Sequence, residues 1–234
     1  MVNKKAQGHV ELILSFVIFI GFILAMLFFL IPYKNNNSIQ GDLDNAQKIL
    51  IDNITINYLE TSLILEPGVS LSGDYFVVDN YFSINKNIVV LDEDGNKKNA
   101  EVEGGNIKIQ GAGDKRYYKL LFSDLFANIV LTGTSQTLQP AEYEFGILSN
   151  SSTVFYDYLL VLNESYYFDY ESLKESLNLK NDFGFVVYDS SNQVVFSALR
   201  ENRAKAGVAS RNIPISVINQ NAERLNFLIN IRTW

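Results

Sequence analysis

Asp92, Asp94 and Asn96 set three oxygen donors at alternate positions, as the ligands of a calcium loop are set, and Glu103 falls where the closing glutamate would stand. Lys97 occupies the position that such a loop keeps for glycine, and the flanks read as strands where the motif needs helices. The same run also reads as a solvated acidic hairpin turn with Asp94-Gly95 at its tightest point. Elsewhere the chemistry is sparse. Cysteine is absent and His9 is the single histidine. Disulfides, thiolate or imidazole metal centres, a cysteine nucleophile and a Ser-His-Asp triad in the C-terminal part are thereby excluded. Carboxylate pairs alone can hydrolyse a glycosidic bond, but nothing in the sequence singles out a pair. Gly104-Gly105 and Gly111-Ala112-Gly113 match neither a P-loop nor a dinucleotide fingerprint and read as turns. No enzyme is expected, and no cofactor is implied.

Composition narrows the partners. Across 234 residues the formal charge is −7, with no basic run, so nucleic acid is not an expected partner. A hydrophobic content of 47%, with 13% aromatic residues, supplies a packed core and argues against disorder.

The elements that must position any site begin with an apolar run. Residues 12–31 read LILSFVIFIGFILAMLFFLI, without a charge. A helix of that length matches a hydrocarbon core of about 30 Å, so the expectation is a single-pass transmembrane helix. Lys4 and Lys5 before it place the N-terminus in the cytoplasm and the remainder outside the cell. The run is too long for a removable secretory signal. Pro32 and Asn35, Asn36 and Asn37 after it predict an end or kink. Glu11 abuts the apolar run with no polar flank and lies one helical turn from Gln7. A carboxylate so placed needs a cation, which a new α-amino group at Gln7 would supply.

The stretch Lys4-Lys5-Ala6-Gln7-Gly8-His9-Val10-Glu11, leading straight into an apolar helix, resembles the class III signal peptide of archaeal type IV pilin-like proteins. The resemblance covers roughly the first thirty residues and implies cleavage by a membrane prepilin peptidase between Ala6 and Gln7. It also implies that the helix is kept as a filament core, with Glu11 as the assembly residue and other pilin-like subunits, homo- or hetero-oligomeric, as partners. Ala6, where that pattern more often has glycine, and His9 are departures. The implied function is a structural subunit, major or minor. The alternative is a monomeric membrane-anchored surface-binding protein that never polymerises.

Further along, Ile39, Leu43, Ala46 and Leu50 recur at helical spacing behind Ser38 as N-cap, predicting helix within 38–65 until Glu66-Pro67-Gly68 stops it. Strands are expected at 75–78, 81–91, 101–110, 117–122, 129–132, 142–148 and 154–162. A short helix is expected at 169–179, with Ser172 and Glu175 in capping-box spacing, then hairpins 185–188/194–199 and 213–218/225–232. The expected organisation is a leader (1–6), a transmembrane helix (7–32), a hinge with an amphipathic helix (33–66) and a β-rich extracellular domain (67–234). The fold class is therefore a transmembrane α-helix followed by a mostly β (α+β), sandwich-like domain. Asn36, Asn53, Asn150 and Asn163 each begin a glycosylation sequon. The run Tyr166-Tyr167-Phe168-Asp169-Tyr170 reads as core or as a sticky surface.

Overall fold

The computed structural model describes the backbone of residues 4–111, 115–200 and 208–234, and the side chains of these residues outside 4–13 and 28–39. The elements run α1 (Lys4–Ile54), β1 (Thr55–Leu65), β2 (Tyr75–Asp79), β3 (Ile88–Asp92), β4 (Lys97–Lys98), β5 (Ala100–Glu103), β6 (Asn106–Gln110) and β7 (Tyr117–Phe122). There follow β8 (Ser135–Thr137), β9 (Tyr143–Phe145), β10 (Ser149–Phe155), α2 (Tyr156–Phe168), α3 (Tyr170–Ser176), β11 (Phe183–Tyr188), β12 (Val194–Ala198), β13 (Ala209–Ile218) and β14 (Arg224–Thr233).

One large sheet organises the chain, in the order β12-β11-β14-β13-β10-β1-β7-β3-β4, with β9 pairing the end of β1 on the same edge as β10, opposite β7. A smaller sheet, β5-β6-β2-β8, stands apart from it. Residue parity shows how the two halves of the large sheet are covered. Thr55 lies opposite Val154, so odd residues of β1 share a face with Val154, Val217, Ile229 and Phe185. At the β11–β14 end that face buries Leu43, Leu50 and Ile54 of α1 with Leu159, Leu162 and Tyr166 of α2. At the β7–β3 end the same face buries Leu63, Val90 and Leu120 against Phe76, Val78, Ile107 and Ile109 of the small sheet. Ile56, Tyr58, Val89, Leu121, Phe155 and Ile218 form a third, smaller cluster on the opposite face. Helices and a second sheet thus share one side of a continuous sheet.

The transmembrane helix, and with it the membrane anchor and the extracellular placement, is corrected here. Among the described residues no helix is long and apolar enough to cross a membrane. The sandwich-like class is corrected too. The chain is mostly β, but helices rather than a sheet cover the β11–β14 half.

Local departures have local causes. α1 continues past Pro32 and Ser38 as one helix of 51 residues, and its docked part presents Leu43, Ala46, Leu50 and Ile54 to the core at spacings of three and four. It ends without glycine. The amide of Asn53 donates to the Ile49 carbonyl (2.8 Å) and the Thr55 hydroxyl to that of Ile51 (2.7 Å), which satisfies last-turn acceptors. The chain then enters β1, where helix had been expected as far as residue 65; central pairing with β10 and β7 overrides any helical preference there. The expected strand at 154–162 is α2 from Tyr156 onward, because Leu159, Leu162 and Tyr166 pack at helical spacing. No strand forms at 129–132.

Candidate assembly helix and acidic hairpin

Residues 14–27 of α1 are apolar on every side of the helix and, among the described residues, covered by no other segment. Exposure of their large side chains runs from 38% at Ile23 to 65% at Ile18, with Phe16, Phe19 and Phe22 near 60%. Successive residues point about 100° apart, so Phe16 to Phe19 alone take in the whole circumference. Gly21 leaves a notch, since a Cβ there would meet no atom within 4 Å. A helix apolar all round is at rest only when surrounded. Ala6, Gln7 and Glu11 fall in the first turns of α1, which begins at Lys4; their side chains, and that of Asn36, lie outside the described residues.

The acidic hairpin is built as a lysine-paired turn. Asp92 is buried, and its Oδ1 accepts from the backbone N–H of Asp94 (3.0 Å) and of Asn96 (2.8 Å). Its Oδ2 faces Lys98 Nζ at 3.2 Å. Burial pushes the carboxyl up, and the hydrogen bonds from Asn96, Lys98 and Asp94 more than offset it, so its pKa lies below the usual aspartate value. Lys115 Nζ lies 2.5 Å from Asp94 Oδ2 and 3.3 Å from Glu93 Oε1, while Glu103, on β5, pairs with Lys108. Lysine ammonium groups hold the positions a cation would take. Among the described residues no group of three or more His, Asp or Glu side chains could hold a metal ion. The sequence reading missed Lys98, Lys108 and Lys115 as the partners; the Lys97-Lys98 pair directly after the turn was the available signal.

The sequons scatter. Asn53 is exposed in the last turn of α1 and Asn150 is exposed on β10, whereas Asn163 is half-buried in α2 with its Oδ1 enclosed and without a hydrogen-bond partner among the described residues. The aromatic run divides by helix face. Tyr166 and Tyr170 are buried, their hydroxyls donating to the Phe183 carbonyl (2.8 Å) and to Asp182 Oδ1 (3.1 Å). Tyr167 and Phe168 are 63% and 96% exposed, so this half of the run is surface. The Arg200 guanidinium lies 3.8 Å over the Tyr170 ring and closes the cluster.

Comparison of the chain with protein-family models, with curated proteins and with solved structures finds no match.

Proposed function

We propose that this chain is a type IV pilin-like structural subunit, processed by a prepilin peptidase between Ala6 and Gln7 and assembled through the N-terminal part of α1 with like subunits. One observation carries the reading: a helical segment, 14–27, that is apolar on all sides and uncovered in the isolated chain, at the end of a helix whose other end is docked in a core. Burial against neighbouring helices would remove this surface from water at about 25 cal/mol per Å². The leader-like residues 4–11 lie directly before it. In this reading Glu11 meets the new N-terminal amine of Gln7, on the same chain or a neighbour, and sets the stagger between helices. The β-rich part then faces outward from the helix bundle as a structural shell.

Processing tests the reading most directly. Co-expressed with an active prepilin peptidase, the protein is expected to begin at Gln7 by intact mass and N-terminal sequencing, and Ala6→Trp is expected to block the cut. A chain that still begins at Met1 or Val2 sinks the proposal and leaves a monomeric binding protein.

A further inference from the structure

A concavity lies between the β3 side of the large sheet and β5 of the small one, far along the chain from the helix at 14–27. Its walls are the approach to β3 (Asn85, Lys86), the edge strand β5 (Glu101) and the loop after β7 (Asp124, Asn128), enclosing about 260 Å³. Almost everything that reaches into it is polar, with Ile88 and Ile129 as small apolar patches. The walls are pinned. The Asn87 amide donates to the Phe126 carbonyl at 2.7 Å, Ser123 N donates to the Asn87 carbonyl at 3.0 Å, and Ala127 N donates to the Gln220 carbonyl at 3.0 Å. Glu101, which lines the cleft, is held through Oε2, which accepts from Leu131 N at 3.0 Å and from Lys108 at 3.4 Å. Lys86 and Asp124, both lining the cleft and both solvent-exposed, form an ion pair at 3.2 Å. The carboxamides of Asn85 and Asn128 have no hydrogen-bond partner among the described residues.

The donor and acceptor set decides the ligand class. A carboxylate accepts from two neighbouring hydroxyls, a carboxamide both donates and accepts, and an ammonium donates three ways. Together they suit a ligand whose edge alternates donor and acceptor at every carbon, which is a polyol ring. Volume limits it to about one ring, since the cleft falls just below the range of about 300 Å³ and up for drug-sized ligands. Lys86 is taken by Asp124 and Lys108 by Glu101, so in a chain of net charge −7 the lining offers no uncommitted ammonium among the described residues to hold an anionic sugar. Pinned walls mean that little ordering is lost on binding. We infer that the cleft formed by Asn85, Lys86, Glu101, Asp124 and Asn128 binds a neutral sugar residue, a hexose or N-acetylhexosamine, at the surface of the β-rich part. This site is independent of the assembly reading, so either can fail alone.

Ligand-observed saturation-transfer NMR on the full chain, with glucose, galactose, mannose and N-acetylglucosamine each titrated to about 50 mM, tests the inference. At least one sugar is expected to give a saturable signal that Asp124→Ala abolishes. The isosteric Asp124→Asn is expected to raise the dissociation constant about tenfold, as the loss of one charge-assisted hydrogen bond does. Thermal unfolding of both variants, unchanged from the parent, shows that the fold is kept; Asn128→Ala gives a second reading should Asp124→Ala unfold. Absence of a saturable signal from all four sugars overturns the inference. So does binding that none of these replacements weakens, or a cleft that answers calcium chloride and no sugar.

Discussion

At the scale of single residues, the buried polar groups govern what the chain tolerates. Asp92 holds the β3–β4 turn by accepting two backbone N–H groups and facing Lys98. Asp92→Ala leaves those donors unpaired and is expected to cost about 2 kcal/mol in denaturant unfolding. Because its pKa is lowered on folding, its contribution is complete above the ordinary aspartate value of 3.8 and is lost as pH falls through the still lower folded value. Acid unfolding of Asp92→Asn, measured against the parent below pH 4, is expected to show a shallower loss of stability. Tyr118 and Tyr166 behave in the opposite sense. Burial pushes both hydroxyls up to about 12. Neutral and buried, they support the fold fully below the ordinary tyrosine value of 10.0, and that support is lost as pH rises toward 12. Burial raises Tyr170 in the same direction, so ultraviolet titration should find three tyrosines that ionise well after the exposed ones; if all thirteen titrate together near 10, the burial argument is wrong.

Among the elements, α1 matters most because it serves two environments. Leu50 is wholly buried between the helix and the β11–β14 face, so Leu50→Ala is expected to cost about 3 kcal/mol by transfer and cavity terms. An equivalent change on the exposed side of the same helix should cost almost nothing in the isolated chain. β11 is constrained differently. A Cβ at Gly184 would stand 2.7 Å from the Ala198 carbonyl and 2.9 Å from Leu199, both on the neighbouring strand or just beyond it. Backbone cannot give way as a side-chain tip can, so Gly184→Ala is expected to lower the unfolding midpoint and to loosen β12 first, as read by amide exchange at Val195 to Ser197. Much of this level was legible. The strands at 75–79 and 117–122 and the tail hairpins follow from alternation and turn residues. The helix–strand swaps at 55–65 and 156–162 were not legible, because short apolar runs carry both periodicities and only their neighbours decide.

For the whole molecule, two kinds of surface separate at opposite ends of a helix about 75 Å long. One end is docked in a core, and near the other the apolar residues 14–27 are uncovered. An uncovered apolar helix should drive association of the purified chain. Phe19→Glu is expected to move the sedimentation profile toward monomer with no change in circular dichroism, because it adds a charge that an assembled bundle would have to bury. Equal profiles for Phe19→Glu and the parent would mean that this surface does not assemble.

What the sequence determined by itself is the chemistry that is missing and the character of α1. No cysteine, one histidine and no basic run are facts of composition, and the apolar run and the Leu43-Ala46-Leu50 spacing follow from residue order. Tertiary structure decided the rest. That Asp94 and Glu93 of the acidic hairpin meet a lysine depends on Lys115 arriving from the approach to β7. That Tyr166 and Tyr170 are core while Phe168 is surface depends on which side of α2 and α3 meets β11. That Asn85, Glu101 and Asp124 share one cleft depends on two sheets meeting at a seam. Each is a contact between distant segments, and local periodicity carries no information about which distant segment comes alongside.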